Sequence, residues 1–217
     1  MKVNILFTFL VSVSIIAGVF FFAPNLGPYS VIVLTLFVLL VSYLEYGKKL
    51  FTSLGFDKKN VNIKNLLIYA PITALVILLT YRFILVPSVT HFTQTPIDIS
   101  AFDALRGNLS NLLVLLPFVW ISAAFGEEII FRGYLMTRFT VVFGKGSIAT
   151  IFNILIFATF FGLIHSYQGI TGQVLSGITG GIIATIFHFK KQDLWFSIVV
   201  HGMIDTLAFI GIYYGIF

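Results

Sequence analysis

Residues 112–132 read LLVLLPFVWISAAFGEEIIFR, and this stretch decides the fold. Residues 112–126 carry no charge, and then Glu127 and Glu128 arrive together, with Arg132 four residues after Glu128. An uncharged run of this kind fits a helix in lipid. Ionisable groups at membrane depth are rare, and they face a protein interior or a wet cavity. The two adjacent carboxylates therefore mark a functional site on a membrane helix.

The rest of the chain agrees. Of its 217 residues 59% are hydrophobic and 10% charged, where soluble domains carry about 25% charged residues. A membrane β-barrel would alternate apolar and polar residues in segments of about 10 residues. Here the apolar runs are continuous and of helix-spanning length. The fold class is all-α, a polytopic transmembrane helical bundle with about seven spans (six to eight). They fall at about 4–22, 30–46, 66–86, 111–131, 147–165, 173–189 and 194–216. The division expected is 1–65 as N-terminal membrane helices without a motif and 66–217 as the membrane core, all one structural domain.

There is no cysteine, which removes disulfides, thiolate ligands and cysteine nucleophiles. Lys2 precedes an apolar stretch too long for a signal peptide and lacking a small-residue cleavage pattern, so a retained first helix is expected. The net charge of +5 reads as topology, because the basic residues cluster in short loops. No basic-aromatic surface for nucleic acid is present. Lys48, Lys49, Lys58, Lys59 and Lys64 fall between spans two and three. Arg138 and Lys145 fall between four and five, and Lys190 and Lys191 between six and seven. The alternate loops hold only Arg106. The positive-inside rule then puts the N-terminus in the cytoplasm and the C-terminus outside. Residues 87–110, with His91, Asp98, Asp103 and Arg106, are expected to form an ordinary outer loop.

The sixth span carries Gly172, Ser176, Gly180 and Ala184 at four-residue spacing, with Gly177 and Gly181 beside them. Such stripes let helix backbones approach closely in lipid. This span is expected to be the tightly held centre of the bundle rather than a catalytic element. His188, next to Lys190 and Lys191 at a helix end, reads as interfacial.

Three pairs repeat an i, i+4 spacing: Glu128 with Arg132, Phe161 with His165, and His201 with Asp205. Residues four apart share a helix face. Glu127 is turned by about 100° from Glu128, so one carboxylate can face a cavity while the other pairs with Arg132. Across an antiparallel hairpin turning at residues 144–146, Glu127 and His165 come out nearly level, at about 1.5 Å rise per residue. His201 lies only ten residues past Lys191 and should be shallower, unless the 190–196 connection dips into the protein.

Glu-Glu-x-x-x-Arg, then Phe-x-x-x-His, then His-x-x-x-Asn/Asp on successive helices resembles the CPBP family, the CAAX-protease and bacteriocin-processing (Abi) group. The resemblance covers about residues 110–217, on Glu127, Glu128, Arg132, Phe161, His165, His201 and Asp205. It implies a membrane-embedded endopeptidase acting on a membrane-associated peptide or protein substrate in the lipid bilayer. Bacterial members also process bacteriocins and confer immunity, and nothing here points to a prenylated substrate. No H-E-x-x-H helix, G-x-S-x-G elbow or G-x-G-D signature supports another protease class.

Amide hydrolysis needs an activated water, oxyanion stabilisation and a proton for the leaving amine. Glu127 is the expected base and His165 the second holder of its water. The family places His201 and the residue at Asp205 near the oxyanion. An ionised aspartate only accepts, so Asp205 is expected to orient His201. Glu128 and Arg132 either lock the helix or bind the substrate's C-terminal carboxylate, which arginine suits. Glu127, His165 and His201 would also make a three-ligand Zn2+ site with one open position; the same residues serve a metal-free mechanism. Two other classes compete: a non-proteolytic immunity or peptide-binding membrane protein, and an ion-coupled transporter, whose usual internal repeats are not found here.

Overall fold

The computed structural model describes residues 4–23, 26–27, 29–57, 59 and 61–216; Lys2 and Lys58 lie outside them. Among the described residues seven helices are long and apolar enough to cross a membrane. They are α1 (Ile5–Phe22), α2 (Tyr29–Ser53), α3 (Asn65–Thr93), α4 (Leu109–Phe143), α5 (Ser147–Ile164), α6 (Ser166–Phe189) and α7 (Leu194–Tyr213). No strand occurs among the described residues. Every backbone N–H and C=O in lipid must be satisfied within the protein, which helices do by themselves. Where the chain re-enters the bundle, side chains cap the free N–H groups. Asn4, Asn108 and Asp193 each accept from a backbone N–H three residues on. Several hydroxyls within the spans bond back to carbonyls, as Thr35 does to Val31 at 2.7 Å, and so remain satisfied in lipid.

The spans agree with the sequence reading in number but not in every boundary. The fourth was expected to end at residue 131 and instead continues to Phe143. The reason is burial: every residue from 126 to 140 is buried, so this half of α4 is wrapped by protein. Arg138, expected in a loop, is inside this stretch and 1% exposed. Its Nε donates to Glu45 of α2 at 2.7 Å. Arg138 is therefore a bundle residue and no loop charge. The sixth span begins earlier than residue 173, in a short 3-10 turn at Ser166–Gln168 that leads into the α-helix at Gly169.

The glycine stripe packs as its spacing predicts. The most extensive helix pair is α5 with α6. A Cβ on Gly162 would meet the Gln173 carbonyl at 2.5 Å, and one on Gly177 would meet the Ala158 carbonyl at 3.2 Å. The centre of the bundle, however, is the inner half of α4, not α6. Ile129, Ile130, Phe131 and Tyr134 share one buried cluster with Phe9 and Ile16 of α1, Val31, Leu34 and Val38 of α2, and Phe157 and Phe161 of α5. A second cluster, Ala70, Ala74 and Ile77 with Ile183, Phe196 and Val200, seats α3 against α6 and α7.

The 190–193 turn dips into the protein. Lys191 and Gln192 adopt positive φ, and the Leu194 N–H donates to the Gly55 carbonyl at 3.2 Å. Leu194 reaches the level of Gly133, whose added Cβ would meet its Cδ2 at 3.1 Å. His201 is seven residues inward from there and Glu128 five, so the two come level. Residues 94–108 are ordered as well. The Asp98 N–H donates to the Gln168 carbonyl at 3.0 Å and the Gly107 N–H to the Tyr213 carbonyl at 3.0 Å. Thr171 hydroxyl donates to the Thr95 carbonyl at 2.7 Å. The expected ordinary loop is thus a strap tied to α6 and α7.

Candidate active site

The site is built on a π-wound part of α4. Trp120–Glu127 and Ile129–Met136 are both π-helical, with Glu128 at their junction. Short π segments recur at functional sites. Here the wider turn still brings Arg132 onto Glu128, but it replaces the ordinary α geometry the spacing implied. Two glycines admit the neighbours. A Cβ on Gly126 would meet Val31 and Thr35 of α2 at 2.8 and 2.9 Å. One on Gly202 would meet the Trp120 ring at 2.7 Å, whose indole N–H donates to Thr206 at 3.0 Å. The carboxylates of α4 are thereby held against α2 on one side and α7 on the other.

Glu128 is fully buried and is the hub. Its Oε1 accepts from Arg132 Nη1 at 2.9 Å and from His201 Nδ1 at 2.9 Å. Arg132 Nη2 donates to the Gly180 carbonyl at 2.7 Å. Its guanidinium lies 5.0 Å from the Phe161 ring centroid. Helix α6 therefore does touch the site, through a backbone carbonyl. The imidazole of His201 is held by Glu128, and Asp205 stands off at 3.6 Å from Nε2. The sequence assigned the orienting part to Asp205; at these distances Glu128 makes the hydrogen bond.

Phe161 is a spacer. Its ring is 4.7 Å from that of His165 and 6.0 Å from that of His201, with Gly180 beneath it, where an added Cβ would come within 2.9 Å. His165 Nδ1 bonds the Phe161 carbonyl at 2.7 Å. A carbonyl only accepts, so Nδ1 carries the proton, and Nε2 of the neutral ring is left as an acceptor.

Glu127 faces another way. It lines a cavity of about 920 Å³ together with His165, His201 and Asp205, within the usual range for a ligand site. Glu127 Oε2 is buried and has no hydrogen-bond partner among the described residues. Buried polar atoms are nearly always paired. The remaining wall is mainly apolar and draws on all seven helices and the strap. Arg132 is not part of that wall. The sequence reading passed over two wall residues, Arg82 of α3 and Tyr167 after His165. Arg82 had the same signal as Glu127, an ionisable residue inside an apolar span. Among the described residues no three of the His, Asp and Glu side chains are gathered as a set that could hold a metal ion. Glu127, His165 and His201 as placed do not fit a zinc site.

Fold and site together define a multi-pass, all-helical membrane protein with a buried acid–histidine cluster opening into a large apolar cavity. Residues 109–207 match the family model described as type II CAAX prenyl endopeptidase Rce1-like, the family resemblance that the three motifs indicated. All seven motif residues lie within the match, and α1 to α3 lie outside it. The match supports a membrane protease. No curated protein and no solved structure matches the chain.

Proposed function

We propose that the chain is an endopeptidase that hydrolyses a peptide bond of a membrane-associated polypeptide inside the α4–α5–α7 cavity, with Glu127 as the base. The observation that carries this reading is the unpaired, buried Glu127 Oε2 on a cavity wall shared with His165 and His201. A general base must reach the proton it takes; of the two adjacent glutamates Glu127 is the one on the cavity wall, and its Oε2 is not spent on a neighbour. His165 Nε2, left as an acceptor, holds the same water from the α5 side. The water attacks the scissile carbonyl, its proton passes to Glu127, and Glu127 returns it to the leaving amine. His201, anchored through Nδ1, presents its other ring nitrogen to the cavity. There it donates to the oxyanion when protonated. Glu128 and Arg132 act as positioning residues, because Arg132 is spent on Glu128 and Gly180 and lies off the cavity wall.

No step is routed through a metal. The apolar wall suits a substrate with an apolar segment and does not by itself call for a prenyl group. By the lysine bias of the α2–α3, α4–α5 and α6–α7 connections, the N-terminus is cytoplasmic and the C-terminus outside.

The test is cleavage of quenched hydrophobic peptides by detergent-purified protein, wild type against Glu127→Gln, with and without chelator. Wild type cleaves with or without chelator, and the variant, folded equally well, is slower by about 100-fold or more. Equal cleavage by the variant overturns the role of Glu127. Loss of wild-type cleavage on chelation overturns the metal-free step.

A further inference from the structure

The cavity is one-sided along the bundle. At one face every connection contributes to its wall: Gly27 between α1 and α2, Ile99 in the strap, Tyr167 at the α5–α6 turn, and Ile216 beyond α7. At the other face no described residue of the connections 54–64, 144–146 and 190–193 does. Along the helices the wall reaches inward only to Val31 on α2, Glu127 on α4, Phe161 on α5 and His201 on α7. Exposure falls along the same axis. Tyr167 and Ile216 at the rim are 53% and 60% exposed, against 8% for Glu127 and 7% for His201 at the floor. Beyond the floor the bundle is filled. Residues 126–140 of α4 are all buried, Arg138 and Glu45 form their ion pair there, and the Leu194 N–H is bonded to the Gly55 carbonyl.

The charges fall along that axis as well. Every lysine among the described residues lies at or beside the three connections of the filled face, Lys49, Lys64, Lys145 and Lys190 among them. The strap at the open face carries Asp98 and Asp103 instead, with Arg106 paired to Asp103. The lysine bias of short loops close to the spans marks the cytoplasmic side, and the connections at the filled face are of that kind. A peptide backbone at membrane depth needs hydrogen-bond partners from protein or water. A cavity open at one face supplies them from that face, whereas a chain arriving from the other meets the buried half of α4.

We propose that the active-site cavity opens on the outer side of the membrane, so that the substrate is an exported or externally presented polypeptide with an apolar segment. The substrate class rests on the peptidase reading above; the direction of opening does not, and the test separates the two. Ala123→Cys on α4 and Ala208→Cys on α7 each put a single thiol on the cavity wall of a chain that has no cysteine. Both are probed with a charged, membrane-impermeant maleimide in right-side-out and in inside-out membrane vesicles, beside Lys145→Cys at the filled face. The two wall thiols react in right-side-out vesicles and not in inside-out ones, and Lys145→Cys shows the opposite pattern. Wall thiols that react from the inside-out side, or from neither side, overturn the proposal. A quenched apolar peptide with a charged, impermeant tail is then added to the same vesicles carrying the wild-type chain. It is cleaved by right-side-out vesicles, and by inside-out ones only after detergent opens them. Cleavage by sealed inside-out vesicles alone overturns the substrate class while leaving the peptidase reading intact. Absence of cleavage even in detergent overturns the peptidase reading and the substrate class with it, and the thiol pattern still decides which face the cavity serves.

Discussion

Helix α4 carries two buried arginine–glutamate pairs, and they are built to opposite ends. Arg138 pairs with Glu45 at 2.7 Å and adds bonds to the Ser53 carbonyl, Thr137 and Ser42. Glu45 in turn accepts from Thr8 at 2.6 Å, and Tyr134 donates to Ser12 at 2.9 Å. Both charged groups are almost fully enclosed, and the network ties α1, α2 and α4 together. Arg132 pairs with Glu128 equally tightly, yet around it Glu128 Oε2, Arg132 Nε and Glu127 Oε2 have no partner among the described residues. One network is satisfied and distant from the cavity; the other is left partly open beside it. A buried polar network with its bonds complete rigidifies. One with gaps is costly, and its gaps are where chemistry enters.

The comparison can be broken by substitution. Glu128→Gln weakens the hold on both Arg132 and His201. It lowers kcat/KM by about 100-fold or more and moves kcat more than KM, because it misplaces groups that act on the transition state. Full activity in a folded Glu128→Gln protein would remove Glu128 as the hub. On the other side, Arg138→Met leaves Glu45 buried without its cation and lowers stability by about 3–5 kcal/mol, read as a drop in thermal midpoint in detergent. The folded fraction keeps its kcat/KM. Removing both partners, as Glu45→Gln with Arg138→Met, recovers part of that loss, whereas an uncoupled pair would show additive losses.

A smaller effect sharpens the account of why α6 is so close. Gly162→Ala places a methyl 2.5 Å from the Gln173 carbonyl. It forces α5 and α6 apart, costs about 1–3 kcal/mol, and displaces Phe161 and His165 with it. Unchanged stability would show that the pair has slack. Smallest of all is a labelling difference. The chain has no cysteine, so single cysteines at Lys145 and at Ser100 report orientation cleanly in intact cells. Ser100→Cys reacts with an impermeant maleimide from outside and Lys145→Cys does not; the reverse pattern inverts the topology.

Much of this architecture is legible from residue types alone. Continuous apolar runs cannot be anything but spanning helices in a chain so poor in charge, and the small-residue stripe of α6 foretells its partner contact. The three i, i+4 pairs each put two of Glu128, Arg132, Phe161, His165, His201 and Asp205 on one face of a helix, because spacing along a helix fixes direction. What is lost concerns depth and partnership. The end of α4 was placed too early because Arg138 looks like a loop cation until Glu45, distant in sequence, is seen to neutralise it. The level of His201 depends on a dip at residues 190–193 that positive φ at Lys191 and Gln192 permits, and no pattern announces that. Whether Asp205 or Glu128 holds His201 depends on differences of less than 1 Å. Arg82, by contrast, was in plain view within an apolar span.

The contrast between the two pairs is tested most directly by measuring kcat/KM and the thermal midpoint together for Glu127→Gln and Glu45→Gln, against wild type on one cleavable peptide. The account predicts that Glu127→Gln loses cleavage by about 100-fold or more with an unchanged or raised midpoint. It predicts that Glu45→Gln lowers the midpoint while the folded protein cleaves at the wild-type rate. Wild-type cleavage by Glu127→Gln would contradict it.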